Sequence, residues 1–528
     1  MEQPEPTTPE PTQPVDVLTA DPRRPPAPVR WALWALSLAI LGFAIHHGLT
    51  RATTSTDSEA VVRHDLRAQN ALWRMAAWMG ATQTKPVKAK GASAAEATPP
   101  PLQQWVTVSR ASSAELMTRA MQLDSARGPK GESAVAEAVI GHCLAVEKAD
   151  QAVEFALKLP HWSPALAAAL TGLPAEITPT LGVRFANLPN LNDAQAAVQA
   201  PSYARNWSAW TRDRIRLQVA LRATAGNRGA MPKGLTADLA ARDRELAAVL
   251  WTAVQIAMLA GLLGLSFALV AGIRAILQAG RGAPAWQWLI ERYPGLPNDN
   301  PYARDLLVPV VGVAAWIFGQ GVTSGVLSQL GNGRGSPFAV LISAMVGVLL
   351  AQLIITALSP TRVPLVHAAR LGGDPAAPFW RASTAALRAW SLLLPAMALL
   401  SVCNVLLVGD AHRIHPLAEL ALNHSDPVTL FSLGLAAVVM APIGEELLFR
   451  GFLFRYFRQR FGFGVSLAVS SALFALLHFS PEQALPYMGL GAAFALTYAW
   501  VGNLWAPIIV HGLWNLAAYV MTVGIALS

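Results

Sequence analysis

Near its C-terminal end the chain carries ionisable and amide side chains inside stretches that are otherwise apolar. One stretch reads Ala441-Pro-Ile-Gly-Glu-Glu-Leu-Leu-Phe-Arg450 and places Glu445, Glu446 and Arg450 within about two helical turns. Glu446 and Arg450 stand at i,i+4 in the order that favours an ion pair, so Arg450 is expected to neutralise Glu446. Glu445 is turned about 100° away on the helix and has no such neighbour, which suits a carboxylate that exchanges protons with water. A second stretch contributes Phe474 and His478 one turn apart, and a third contributes His511 and Asn515 at the same spacing, so each pair shares one helical face. An ionisable residue in a spanning segment costs from about 2.5 kcal/mol upward and needs a partner or a purpose. Structural roles compete with chemical ones at every position. Glu446 and Arg450 can close a helix end, and Glu445 can be a second, solvated carboxylate there. His478 can be interfacial, beside Pro481 and Glu482, while His511 and Asn515 can be hydrogen-bond glue between helices. Pro442 is expected to kink its helix and free a carbonyl near the site.

The elements that position these residues follow from composition. The 528 residues are 53% hydrophobic and only 14% charged, against roughly 25% charged in an average soluble domain, so a bilayer is the natural solvent. The net charge of +8 comes from basic residues beside apolar runs rather than on one basic face; it reads as a topology signal and not as a nucleic-acid surface. The two cysteines, Cys143 and Cys403, supply neither a disulfide framework nor a metal-ligand spacing.

Apolar runs predict nine spans, at residues 31–48 and about 246–273, 306–330, 337–359, 386–409, 431–457, 464–480, 484–501 and 505–525. The fold class expected is an all-α polytopic membrane helix bundle. Residues 1–30 read as a disordered tail that Arg23, Arg24 and Arg30 place in the cytoplasm, with a cleaved signal peptide as the rival reading of the first run. Residues 49–246 have soluble composition and read as an inserted extracytoplasmic helical domain. Within it, 85–101 is a flexible linker, helical spacing marks 114–123, 133–146 and 149–159, and Pro160 is a stop. Residues 247–410 hold further spans, and 285–296 reads as an interfacial helix. Counting along the helices puts Glu445 and His478 both roughly 20 Å below the cytoplasmic boundary. His511 lies only about 10 Å beyond Leu504, a mismatch that requires helix tilt or an inward dip at Gly502 and Asn503.

Taken in order, Glu-Glu-x-x-x-Arg (Glu445, Glu446, Arg450), Phe-x-x-x-His (Phe474, His478) and His-x-x-x-Asn (His511, Asn515) resemble the CAAX protease and bacteriocin-processing (CPBP, ABI) family of intramembrane glutamic endopeptidases. Each motif alone is weak; the three together, on separate spans within residues 425–528, are specific. The resemblance implies a C-terminal catalytic core in which Glu445 and His478 activate the attacking water. It also implies that His511 and Asn515 stabilise the oxyanion, with Glu446 and Arg450 in support. It implies no metal and no cofactor, and as partners the lipid bilayer and a membrane-associated protein or peptide, in a bacterial inner (plasma) membrane. Prenylated substrates do not follow from it. Three alternatives stay open. One is a zinc hydrolase, although the His-Glu-x-x-His spacing is absent. Another is a non-catalytic scaffold or bacteriocin-immunity-type protein. The last is a proton-coupled transporter, for which no pair of broken helices in related halves is evident.

Overall fold

The computed structural model describes residues 27–54, 59–83, 101–126, 134–173 except 147, 177, 180–181, 188–224 except 201–202 and 205–206, 235–281, 306–330, 337–358, 379–408, 416–423 and 426–527 except 479. Every regular element among them is helical. The first helix, α1 (Ala27–Thr54), begins before Trp31 and takes in Arg30. Pro28 explains the early start, because a proline in the first turn has no N–H to lose and its φ is already helical. Residues 1–26 of the expected tail, the expected linker up to residue 100 and the expected interfacial helix at 285–296 lie outside the described residues.

Seven helices follow: α2 (Glu59–Gln83), α3 (Pro101–Ala126), α4 (Ala134–Ala145), α5 (Ala149–Lys158), α6 (Pro164–Thr171), α7 (Leu191–Gln199) and α8 (Ala209–Ala223). They share one apolar core in which Ile140, Phe155, Leu170 and Ile215 are buried. Side-chain caps start three of them: Ser163, Asn190 and Ser208 accept from the backbone N–H of Leu166, Asp193 and Thr211. Helix α5 ends where Leu159 turns extended ahead of Pro160, the conformation a following proline imposes. The long helix α9 (Leu235–Ala279) then runs unbroken through residue 246, where the sequence suggested a boundary. At 45 residues it is about 68 Å long, twice an apolar bilayer core, so one rod belongs to both the helical domain and the membrane part.

The remaining helices are α10 (Leu307–Leu330), α11 (Pro337–Leu358), α12 (Phe379–Val408), α13 (Pro416–Asn423), α14 (Pro427–Leu435), α15 (Ala441–Glu446), α16 (Arg455–Leu476), α17 (Ala484–Val501) and α18 (Trp505–Ala526). Wider, π-type turns at Ala436–Met440 and Leu447–Phe454 join α14, α15 and α16 into one continuous run. Among the described residues, eight helical segments are long and apolar enough to cross a membrane, against the nine expected. The difference lies in Pro427–Leu476, a single 50-residue segment where two spans were expected. It is bent double: the rings of Phe449 and Phe474 lie 5.3 Å apart, although a straight helix would separate them by about 37 Å. The bend is at Gly462, with φ 78° and ψ −179°, a conformation open essentially only to glycine.

Helices α10 and α11 pack along their length, α9 lies against α12, and α18 is held by α12, α17 and the Ala436–Met440 turn. A second core, with Phe449, Phe452, Phe474, Phe494 and Tyr498 at its centre, fills the space between these helices.

Candidate active site

Pro442 shapes the start of the site. In the π-type register Ala441 N–H donates to Ala436 O, so the next carbonyl, Ala437, would need the N–H of residue 442, and proline has none. Asn515 supplies the missing donor from α18: its Nδ2 lies 2.8 Å from Ala437 O. The proline therefore pins the helix of His511 and Asn515 to the helix of the two glutamates. π-type turns of this kind often re-aim side chains at functional sites.

Glu446 and Arg450 are both fully buried. Arg450 Nη1 donates to Glu446 Oε1 at 2.9 Å, as the i,i+4 spacing predicted, and Nη2 donates to Gly491 O at 2.8 Å. Gly491 makes that second bond possible, because a Cβ there would stand 2.9 Å from the backbone of Ser471; only glycine lets α17 come this close to α16. Phe449, Phe474 and Phe494 surround the guanidinium at 4.7–5.6 Å, which adds cation–π attraction to a charge removed from water.

His511 is the second donor to Glu446: its Nδ1 lies 2.9 Å from the same Oε1. A carboxylate can only accept, so Nδ1 carries the proton. The ring stacks on Phe494 at 4.6 Å. Sequence reasoning left this bond out, giving Glu446 to Arg450 alone; the two residues are 65 positions apart, and no local spacing reports it. The turn at 501–504 that brings His511 to this depth is buried, with Gly502 in the left-handed region and Asn503 Oδ1 accepting from Trp505 N.

Glu445 stands apart from the pair. Its Oε2 is buried and has no hydrogen-bond partner among the described residues, and His511, Glu446 and Arg450 are its ionisable neighbours. His478 ends the opposite arm of the bend. Its Nδ1 donates to Phe474 O at 2.7 Å, which fixes the neutral tautomer and leaves the lone pair on Nε2. Tyr487 stacks on the imidazole at 4.1 Å and is itself within electrostatic reach of Glu445, so one aromatic ring borders both groups. By its sequence alone α17 reads as a plain span. Tyr487 and Gly491 are the functional contributions missed there, and the available signal was a polar-tipped aromatic and a small residue in an otherwise apolar run. Among the described residues, no three His, Cys, Asp or Glu side chains converge as a metal-ligand set.

The site thus brings Glu446, Arg450, His511 and Asn515 into one bonded network, with Glu445 and His478 beside it. Residues 427–517, which contain all six side chains, match the family model of the Rce1-like type II CAAX prenyl endopeptidases. This segment is a CAAX-protease-family domain. The CAAX-protease domain is similar to YdiL of Bacillus subtilis, whose name places it among membrane peptidases, at 30% identity over 83 residues, 16% of this chain and 34% of that protein. It is also similar to the membrane-embedded CAAX protease MroQ of Staphylococcus aureus, at 29% identity over 138 residues, 24% of this chain and 54% of that one. The chain therefore spans about a third of one curated relative and about half of the other. No solved structure matches it.

Proposed function

We propose that the chain is an intramembrane endopeptidase that hydrolyses a peptide bond of a membrane-associated protein or peptide with water activated by Glu445 and His478. The observation that carries this reading is the division of labour between adjacent carboxylates. Through Oε1, Glu446 is tied to Arg450 and His511, whereas Glu445 is joined to neither; each carboxylate keeps its Oε2 buried without a partner among the described residues. A carboxylate in that position can take a proton from a water held on its other side by Nε2 of His478, a step typically worth 10²–10⁴-fold in rate. The attacking oxygen then adds to the scissile carbonyl.

The oxyanion falls to α18. Glu446 fixes the ring of His511 through Nδ1, and the Nε2 side of the ring is the first group offered to developing negative charge. The remaining N–H of Asn515, whose other is held by Ala437 O, is the second donor. Each such donor is worth on the order of 3 kcal/mol in a site that excludes water. Collapse of the intermediate returns the proton from the Glu445 and His478 pair to the leaving amine. The arginines at the chain's apolar boundaries favour a cytoplasmic N-terminus with residues 49–246 outside.

The test is cleavage of a membrane-anchored reporter peptide by the purified full chain in proteoliposomes, with and without exhaustive chelation. Wild-type protein cleaves in both conditions, and His478→Ala, folded to the same extent, does not. Equal cleavage by His478→Ala rejects the reading, and loss of activity on chelation transfers it to a zinc hydrolase.

A further inference from the structure

Outside the CAAX-protease domain, helices α2, α4 and α8 enclose a cavity of about 20 Å³ walled by Arg63, Arg67, Asn70, His142 and Thr211, among others. Its surroundings are cationic. Arg63 and Arg67 share one face of α2, and Arg212 of α8 is within electrostatic reach of Arg67. Burial, and then repulsion from those two arginines, pulls the Arg67 guanidinium down to about 10. The N-terminus of α8, capped by Ser208, adds the positive end of a helix dipole. Two acids lie on the same turns of α2: Glu59, which pairs with Arg63, and Asp65, which lies against His64.

Two polar atoms in this wall are buried without a partner among the described residues: Nε of Arg63, a donor, and Nε2 of His142. His142 is 2% exposed. Its Nδ1 lies 2.7 Å from Asn70 Oδ1, and Asn70 turns its own Nδ2 toward Ser208 and Thr211. Nδ1 is therefore the donor and Nε2 an acceptor. An orphan donor and an orphan acceptor facing one cavity call for a group that offers both. The volume admits one or two water-sized atoms, which matches the two oxygens of a carboxyl group more closely than the four of a phosphate.

The cavity also touches the membrane part. Arg67 Nη1 donates to Leu422 O at 2.9 Å and to Ala526 O at 3.0 Å, the last turns of α13 and α18. Arg74, two turns further along α2, donates to Leu527 O at 3.2 Å. The wall of the cavity is thus the clamp on the end of the helix that carries His511 and Asn515.

We propose that this cavity binds a single carboxyl group in its protonated form, the carbonyl oxygen accepting from the Arg63 and Arg67 guanidinium groups and the O–H donating to Nε2 of His142, so that a carboxylate takes up one proton from solvent as it binds. Occupancy draws Arg67 away from the carbonyls of α18. The site goes beyond the proteolytic reading and does not depend on it.

The test is calorimetric titration of the full chain in lipid nanodiscs with acetate, with phosphate as the comparison and a blocked peptide bearing one glutamate as a second arm. Acetate is expected to bind saturably and phosphate not. Binding falls about tenfold or more in Arg63→Gln, the loss of one charged hydrogen bond, and disappears in Ala138→Leu, which fills the cavity. Arg63 is partly exposed and serves alone if Ala138→Leu lowers the unfolding midpoint. Amide exchange at 522–527 speeds up when acetate is bound. Tighter binding of the peptide identifies a protein carboxylate as the ligand, and tighter binding of acetate a free acid. Absence of saturable acetate binding, equal binding by Arg63→Gln, or phosphate bound as tightly as acetate overturns the proposal.

Discussion

Breaking the Glu446–Arg450 pair from either side should cost at least as much as deleting it whole. Glu446→Leu leaves Arg450 fully buried among three phenylalanines with only Gly491 O as a partner, and an uncompensated buried charge costs about 3–5 kcal/mol. Arg450→Met leaves the Glu446 carboxylate with His511 alone, a loss of about the same size. If the two losses were independent they would add to about 8 kcal/mol, most of the roughly 5–15 kcal/mol that holds a typical domain together. The double variant removes both charges and leaves only the neutral contacts of His511 and Gly491 unmet, about 3 kcal/mol by the usual cost of an unpaired polar group. The pair should therefore show a coupling of about 3–5 kcal/mol, with the double variant no less stable than either single one. Equilibrium unfolding of the full chain in mixed micelles, followed by tryptophan fluorescence, measures this. Additive losses would refute the reasoning. Activity should not return with stability, because His511 has lost its acceptor in the double variant.

Asn515→Leu should destabilise by about 1–3 kcal/mol because it strands Ala437 O, and the loss should shrink in a Pro442→Ala background, where the missing N–H is restored; unfolding midpoints of the four proteins check this. Gly462→Ala should cost about 1–3 kcal/mol from backbone strain alone, since a Cβ there meets nothing within 4 Å, and the same unfolding experiment reads it. Tyr487→Phe should keep peptide cleavage near wild type while Tyr487→Leu lowers it, if stacking is what holds His478; steady-state rates at matched folding decide. Burial holds His142 down at about 3, below the value of about 6.5 in an unfolded chain. The unfolded state therefore binds more protons between those values, and stability falls as pH falls through this window. Between pH 8 and 5 the loss is about 2 kcal/mol, measurable as a drop in unfolding midpoint that His142→Gln removes.

The membrane class, the helical character of the inserted domain and the six polar residues of the site were legible because they rest on local signals: apolar runs, helical spacing and i,i+4 pairs. The bond between Glu446 and His511 was not, since it joins two helices that no short-range pattern connects. Pro442 announced a freed carbonyl, but the partner of that carbonyl, Asn515, sits 78 residues beyond Ala437. Tyr487 and Gly491 were hidden in an apolar run because a stacking face and a backbone carbonyl leave no trace in residue type. The eight long segments and the nine expected spans differ only at Gly462: the helix breaks at that left-handed residue, and the two arms of Pro427–Leu476 correspond to the two spans the apolar runs suggest.

The central claim is that Glu445, and not its neighbour, is the base that takes the proton from water. The rate of peptide hydrolysis by Glu445→Gln, an isosteric change that leaves the Glu446, Arg450 and His511 network in place, tests it most directly. The expected result is a fall of about 10²–10⁴-fold with an unchanged unfolding midpoint. Cleavage at the wild-type rate would contradict it.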